Sequence, residues 1–302
     1  MFVADMHCDS LSNVNSSRGL RNKYNFSIDY PQLQFVAEFV PNRGESAEMR
    51  RKRLMHYLDV YISETARLKI VGVRNCHDLN FAVETEQNAS ILSIEGGGGL
   101  FADSEELNTL YRMGMRVMGL AWDRTELAAS SFDRDDTGLT DEGRRMVDRL
   151  GELGVIIDVS HLSDRSFYEV MERTAYPVIA THSNFREICD NPRNLTLEMA
   201  KKIALRGGVI GLNLYPSFLT GGDTASLADL ERHVDYALDK LGEDCLGFGF
   251  DIDGTDGKYP VGIDETDSIH DRVIEVLDKR YGGRIVEKLA GRNVIDFLRG
   301  NL

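Results

Sequence analysis

Short apolar runs recur along the chain, and longer segments with the apolar spacing of amphipathic helices separate them. The runs predict strands at Val3–Met6, Leu33–Phe39, Ile91–Ile94, Arg116–Ala121, Val155–Val159, Val178–Thr181, Val209–Leu214 and Leu246–Phe250. The longer segments predict helices over Ser46–Lys69, Glu105–Arg112, Asp141–Leu153, Asp164–Glu172, Thr196–Arg206, Ser226–Leu241, Ile269–Arg280 and Asn293–Arg299. Nearly continuous Val, Ile and Leu runs are typical of strands buried on both faces of a parallel sheet. The alternation predicts an α/β fold, a (β/α)8 TIM-type barrel that occupies residues 1–302 as a single domain.

A Rossmann-like open sheet is the alternative arrangement of alternating strands and helices. It needs a glycine-rich turn with a phosphate-binding spacing after an early strand. The glycine-dense turn of this chain, Gly96–Gly99, follows Glu95 and has neither a Lys-Ser/Thr pair nor a G-x-x-G spacing after it. The turn therefore fits neither nucleotide-binding fingerprint, and the barrel is favoured.

Acidic residues outnumber basic ones, 49 against 35, which gives a formal charge of −14. Such a surface repels phosphate backbones and anionic lipids, so neither nucleic acid nor a membrane is expected as a partner. No apolar run reaches the ~18 residues that span a bilayer, and no secretory signal precedes the first predicted strand. A cytoplasmic protein is expected. The basic cluster Arg50–Arg53 is interpreted as the solvated face of an amphipathic helix.

The cysteines are scattered along the chain. The four of them, Cys8, Cys76, Cys189 and Cys245, show no C-x-x-C spacing. They indicate neither a disulfide framework nor a cysteine zinc site. We therefore expect reduced thiols, with the Cys8 side chain pointing away from those of its sequence neighbours and into the core.

Residues that can bind a metal ion or transfer a proton follow most of the predicted strands. They are His7 and Asp9, Glu95, Asp158 and His161, His182, and Asp251 and Asp253. The C-terminal ends of barrel strands converge on one mouth, so these side chains are expected to meet there. Histidines and carboxylates together suit zinc.

Each of these residues also has a structural interpretation. A lone histidine is often part of the packing, and an aspartate after a strand often caps the following helix, as Asp251 or Asp253 could do. Their coincidence at several strand ends favours a metal centre. The remaining histidines, His56, His77, His233 and His270, are interpreted as structural or surface residues.

Sequence motifs spread over the chain point to a known family. They are DMHCDSL, LQFVAEFV, SILSIEGG, GVIIDVSHLSD, VIATHSN, NPRNL, LGFGFDIDGT and the closing GRNVIDFL, in this order. Together they make the chain resemble the membrane (renal) dipeptidase family, within the metal-dependent amidohydrolase superfamily. The resemblance covers essentially the whole sequence. It makes the metal centre, which the strand-end residues alone only favour, a specific expectation.

The resemblance implies a role for individual residues. His7 and Asp9 would hold one zinc ion, His161 and His182 a second, Glu95 would bridge both, Asp251 would transfer protons and Arg193 would bind the terminal carboxylate of the substrate. Two zinc ions would supply a bridging hydroxide at neutral pH, because metal binding lowers the pKa of water to about 7.

One position departs from the renal enzymes of this family. In them a histidine that contacts the substrate carbonyl ends the fourth strand, and the aligned residue here is Trp122. Tryptophan donates only through its indole N–H and fills more space than histidine. The departure concerns the identity of the substrate more than hydrolysis itself. Trp122 and Tyr215 are expected to contact the substrate beside Arg193.

The resemblance implies a binuclear zinc dipeptidase that hydrolyses the amide bond of dipeptides, including L-Xaa-D-Xaa dipeptides. One alternative is an N-acyl-amino-acid hydrolase that uses the same centre. Another is a catalytically silent barrel that binds a ligand. The expected partner is a small-molecule dipeptide, and a homodimer is a further expectation from the family.

Overall fold

The computed structural model describes residues 1–13, 30–42, 44–263 and 268–302, and a parallel sheet lies at its centre. The strands of this sheet are β1 (Val3–Cys8), β2 (Gln32–Phe39), β3 (Val71–Gly72), β4 (Ala89–Glu95), β5 (Met115–Gly119), β6 (Ile156–Asp158), β7 (Ile210–Leu212) and β8 (Leu246–Phe248). They lie in the order β6-β5-β4-β2-β1-β8-β7, and β3 pairs with the beginning of β4. The sheet curls, so that β6 and β7 come close to each other.

The segment 178–181 closes this curled sheet into a barrel. Ile179 pairs with Asp158 of β6, and Ala180 pairs with Ile210 of β7, each as a single parallel bridge. The Gly211 N–H donates to the Ala180 carbonyl oxygen at 2.8 Å, which continues the hydrogen-bond ladder to β7. The predicted strand Val178–Thr181 therefore occupies a strand position between β6 and β7 in the barrel, although its pairing is too short to form a regular strand.

Helices surround the barrel. They are α1 (Ala47–Leu68), α2 (Cys76–Glu84), α3 (Glu105–Met113), α4 (Asp141–Leu153), α5 (Asp164–Arg173), α6 (Leu197–Leu205), α7 (Pro216–Thr220), α8 (Leu227–Leu241), α9 (Ile269–Tyr281), α10 (Gly283–Glu287) and α11 (Asn293–Asn301). The side chains of Thr140 and Ser163 cap α4 and α5, as the sequence predicts. The (β/α)8 fold predicted from the sequence is thus confirmed, with β3, α2, α7 and α10 as elements that the apolar pattern did not predict.

The glycine-dense turn after β4 is explained by close packing. Gly96 has a φ of +80°, and a Cβ atom there would lie 3.0 Å from the Val40 carbonyl oxygen. A Cβ atom on Gly97 would lie 2.0 Å from the Met118 side chain. Only glycine permits this approach, so the turn serves the contact between neighbouring loops at the barrel mouth.

The basic cluster at the start of α1 is not a single solvated face, and the prediction was wrong for Arg50. Its side chain is buried and donates to Asn42 Oδ1 at 2.6 Å, to the Glu45 carbonyl oxygen and to the Glu126 carboxylate. A buried guanidinium is tolerated where a carboxylate and several acceptors surround it. Glu126 also accepts from the Gly99 N–H at 3.2 Å, so Arg50 joins three loops at the barrel mouth.

The cysteine prediction is confirmed, because all four thiols are free and Cys8 is buried in the apolar core. Among the helices of the described residues, none has the length and apolar character that crossing a bilayer requires.

Candidate metal centre

Six buried side chains meet at the mouth formed by the C-terminal ends of the strands. His7 lies near the end of β1, Asp9 directly follows it, Glu95 ends β4, His161 follows β6, His182 follows the segment 178–181, and Asp251 follows β8. All are less than a tenth exposed. The convergence of the strand ends at one mouth therefore brings together the residues that were predicted to form the site.

Glu95 lies between two groups of potential ligands. Its Oε1 atom is 2.8 Å from His161 Nε2 and 3.3 Å from His182 Nε2. Its Oε2 atom is 3.7 Å from His7 Nε2, which is itself 3.6 Å from Asp9 Oδ2. Each group offers ligand atoms within 4.8 Å of one another. The carboxylate of Glu95 can thus contribute one oxygen to each of two cations.

The donor set fits metal ions. His7 Nε2 and Asp9 Oδ1 are buried and have no hydrogen-bond partner among the described residues. Such atoms are costly to bury unless another ligand satisfies them. Gly254 leaves the space open, since a Cβ atom there would lie 2.1 Å from Asp251 Oδ1 and 2.3 Å from Asp9 Oδ2. Nitrogen and carboxylate donors in this arrangement suit zinc.

A hydrogen-bond chain fixes the tautomer of His182. The Ser160 and Thr181 hydroxyls each donate to one oxygen of Asp158, both at 2.6 Å. Thr181 Oγ1 lies 2.7 Å from His182 Nδ1. Because its only proton goes to Asp158, Thr181 accepts from Nδ1–H. His182 Nε2 then presents its lone pair to the site, which is the arrangement that orients a metal-binding histidine.

We expect Thr181→Val to weaken metal binding by about 10- to 100-fold, because valine keeps the shape but leaves His182 Nδ1–H and Asp158 Oδ2 without their partner. The matched variant Thr181→Ser keeps the hydroxyl and is expected to bind metal as the wild type does. Competition with a chelator measures both affinities. Equal affinities of the valine and serine variants would remove Thr181 from this role.

Burial dominates the electrostatics of the site. It lowers the pKa of His161 and of His182, and it raises the pKa of Glu95 and of Asp251. For His7, burial lowers the pKa, but the Glu95 and Asp9 carboxylates outweigh it and raise the value. Burial thus disfavours the ionised carboxylates of Glu95 and Asp251 and the protonated imidazoles of His161 and His182. A divalent cation bound at the site would favour the ionised carboxylates through its own charge.

Asp251 caps no helix of the residues that the structure describes. Helix α9 begins at Ile269 and is capped by Ser268. Asp251 has a φ of +60°, which is unusual for a residue with a side chain. Its Oδ2 atom accepts from Asn213 Nδ2 at 3.0 Å, whereas Oδ1 lies 3.8 Å from His7 Nε2. One oxygen is thus anchored, and the other faces the ligand cluster.

Arg193 lies beside the cluster and is almost fully buried. Its guanidinium donates to the His182 carbonyl oxygen at 2.8 Å and to Ser183 Oγ at 2.7 Å, and its Nε atom has no partner among the described residues. Burial lowers the pKa of Arg193 to about 10, so it remains charged at neutral pH. It packs over the ring of Phe218, with 5.5 Å between its Cζ atom and the ring centroid.

A cavity of about 770 Å³ opens above the cluster. Trp122 and Tyr215, which are expected to contact the substrate, line this cavity, and Arg193 is not among its lining residues. Several lining residues had no predicted role in the site, namely Phe39, Arg53, Tyr57, Phe132, Asn191 and Gly254, whereas Asp253, a candidate from its position after a strand, lines the cavity outside the ligand groups. Asp158 and Thr181 orient His182, a role that was not predicted from the sequence. The signal that could have indicated this role was their position within the motifs DVSH and THS, beside predicted ligands.

The other four histidines are structural or exposed, as predicted. His270 is fully buried and its Nε2 atom lies 2.8 Å from Asp5 Oδ2. His233 is fully buried, and His56 and His77 are exposed. Asp5 Oδ1 in turn accepts from the His7 N–H at 3.2 Å and from the Phe250 N–H at 3.1 Å, so this buried pair ties β1 to the end of β8 beside the site.

Buried histidines and carboxylates at the C-terminal mouth of a (β/α)8 barrel are the arrangement expected of a metal-dependent barrel enzyme. The family model of membrane dipeptidases, peptidase family M19, matches residues 1–300. The chain belongs to this family, which confirms the resemblance and the predicted class of enzyme, a hydrolase of peptide bonds.

Individual relatives agree with this assignment. An uncharacterized protein in the pqqA 5′ region of Klebsiella pneumoniae is 30% identical over 234 residues, which cover 74% of this chain and 85% of that protein. Dipeptidase 3 of Mus musculus is 25% identical over 95% of this chain, but the match spans only 57% of the mouse protein. The crystal structure of a metallo peptidase from Rhodobacter sphaeroides has a TM-score of 0.87 at 23% identity and covers 100% of this chain and 99% of its own, which shows the shared fold.

Proposed function

We propose that this protein is a binuclear zinc dipeptidase. The observation that carries the proposal is the position of Glu95, whose two carboxylate oxygens face His161 and His182 on one side and His7 and Asp9 on the other. A single metal site would not need a carboxylate between two separate ligand groups. The alternative of a silent barrel does not account for this complete donor set.

Two zinc ions, when bound, would activate water at neutral pH and polarise the scissile carbonyl. Asp251 supplies the proton transfer, because its Oδ1 atom faces the cluster while Asn213 holds Oδ2. It takes the proton of the attacking water and delivers it to the leaving amine, which breaks the C–N bond.

The groups around the cluster suit a free dipeptide. Arg193 provides a buried positive charge with an unpaired Nε–H, which fits the terminal carboxylate. Asp253 also lines the cavity, and its negative charge favours a substrate with a free ammonium group over an N-acylated amino acid. The related Rhodobacter structure was solved with a phosphinate mimic of L-Ala-D-Ala, which supports including L,D-dipeptides among the substrates to be assayed.

Metal analysis and a hydrolysis assay on one preparation test this proposal. We expect two zinc ions per chain and hydrolysis of L-Ala-L-Ala, L-Ala-D-Ala or both. Turnover of N-acetyl-alanine but of neither dipeptide would favour the N-acyl-amino-acid hydrolase. A zinc-loaded protein that hydrolyses none of these amides, or a protein that binds no zinc, would contradict the proposal.

We expect Arg193→Ala to raise KM for free-carboxylate dipeptides by about 10- to 100-fold, since hydrogen bonds to charged groups contribute about 1.5–3 kcal/mol. The same dipeptides with an amidated C-terminus are expected to change far less. Comparing both substrates in one variant separates carboxylate binding from the loss of the contacts to His182 and Ser183. An equal change for both substrates would assign Arg193 a positioning role only.

The remaining expectations concern location and assembly. A cytoplasmic location and a homodimer stay predictions, as does the small-molecule dipeptide as partner. Size-exclusion chromatography with light scattering tests the homodimer directly.

A further inference from the structure

We propose that the aromatic wall beside His161, formed by Phe39, Trp122 and Phe132, binds the side chain of the N-terminal residue of the substrate. The preferred substrates are then dipeptides that begin with a large apolar or aromatic residue. This inference rests on the proposed dipeptidase function and specifies its substrate class.

The three rings form one continuous surface above the ligand cluster. The Phe39 and Trp122 rings meet edge to face, with centroids 5.1 Å apart. The Trp122 and Phe132 centroids are 6.3 Å apart, and these two rings lie 6.0 and 6.2 Å from the His161 imidazole. All three residues line the cavity. These spacings are typical of aromatic side chains that pack against one another and accept a further apolar group.

The rigid part of this wall is held from behind. Asp123 accepts from the Asn42 N–H at 3.0 Å, and Asn42 Nδ2 donates to the Arg124 carbonyl oxygen at 3.0 Å. Buried Arg50 donates to the side chain of the same asparagine. The loop that carries Trp122 is therefore anchored directly after this residue before substrate binds, which lowers the entropic cost of binding.

Phe132 is the exposed member of the wall. Half of its surface, 50%, is accessible although it stands at the edge of the cavity. Trp122 is only half-buried as well. An aromatic ring as exposed as Phe132 gains free energy when an apolar group covers it. A charged side chain would instead lose hydration against this wall.

The position of Arg193 decides which end of the dipeptide faces the wall. Arg193 packs over Phe218, which itself contacts Tyr215 with centroids 4.9 Å apart. These residues form a separate aromatic group that has no ring contact with Trp122 or Phe132 among the described residues. With the carboxylate at Arg193 and the scissile amide at the cluster, the N-terminal side chain extends past His161 to the wall.

Hydrolysis of matched dipeptides by the zinc-loaded enzyme tests the inference. We expect kcat/KM for L-Phe-L-Ala to exceed that for L-Ala-L-Ala and L-Glu-L-Ala by about 10-fold or more, as filling an apolar pocket does. Phe132→Ala should remove most of the preference for L-Phe-L-Ala over L-Ala-L-Ala. The control Phe81→Ala removes an equally exposed ring, 46% accessible, from α2 and should leave the preference intact.

Binding gives a second readout that does not need turnover. Trp122 is the only tryptophan of the chain, so its fluorescence reports on the wall directly. We expect L-Phe-L-Ala to change this fluorescence at about tenfold lower concentration than L-Ala-L-Ala, and Phe132→Ala to remove the difference. Equal affinities for both dipeptides in the wild type, or a preference for L-Ala-L-Phe over L-Phe-L-Ala, would overturn the inference. Absence of turnover with any dipeptide would instead contradict the proposed function, while the titration would still decide on the wall.

Discussion

Replacing His161 by alanine is expected to remove one of two bound zinc ions and to lower turnover by about 1000-fold. His161 Nε2 lies 2.8 Å from Glu95 Oε1 and 2.9 Å from His182 Nε2, so it completes one of the two ligand groups. A catalytic metal contributes several kcal/mol to transition-state stabilisation, and each 1.36 kcal/mol corresponds to a factor of ten in rate. Elemental analysis and dipeptide hydrolysis measure the two effects on the same sample.

The matched control for this variant is His56→Ala. His56 is exposed on α1 and contacts no residue of the cluster. The His56→Ala variant should keep both zinc ions and hydrolyse dipeptides at the wild-type rate. Thermal unfolding in the presence of zinc shows whether the His161 variant is folded. A folded His161→Ala protein with two ions and unchanged turnover would rule out the binuclear assignment.

Most of the barrel could be predicted from the sequence because buried parallel strands leave a clear apolar signal. Strands β1, β2 and β4 lie where the apolar runs predict them. The short strand β3 was missed, since two residues carry no periodicity. The segment 178–181 has the apolar pattern of a strand, although only single bridges pair it with its neighbours. The sequence therefore predicted where this segment lies in the barrel, but not that its pairing is too short for a regular strand.

The site residues were predictable for a different reason. His7, Glu95, His161 and His182 all lie at or just after the C-terminal ends of strands, and the topology of a barrel brings strand ends together regardless of the intervening sequence. Their roles as ligands come from the resemblance and stay predictions until metal is measured.

Residues whose roles depend on tertiary partners were not predictable. Arg50 stands one helical turn before Leu54 on the buried face of α1, but the sequence does not show that Asn42 and Glu126 accept hydrogen bonds from its guanidinium. Thr181 likewise acquires its role only because the fold places Asp158 beside it. Sequence periodicity predicts which side chains are buried, but it does not predict hydrogen bonds between residues that are far apart in the chain.

The second large effect is expected for Asp251→Asn, which should lower kcat by about 100- to 10,000-fold, the range of a general acid–base group. Zinc content and KM should stay close to those of the wild type. Asparagine keeps the shape of aspartate and tolerates the left-handed backbone that the φ of +60° requires. Its side-chain oxygen can still accept from Asn213, so the substitution removes the capacity to carry a proton and little else.

Asp256→Asn is the matched control for Asp251→Asn. Asp256 has a φ of +53°, lines the cavity and is exposed, so the chemical change and the backbone requirement are the same. The kcat of the Asp256→Asn variant should change by less than about 3-fold, because Asp256 belongs to none of the ligand groups among the described residues. Loss of an ion in Asp251→Asn would identify Asp251 as a ligand, consistent with its place beside His7 and His182. Full activity of the variant would show that the proton passes through another group, and it would exclude Asp251 from the chemistry.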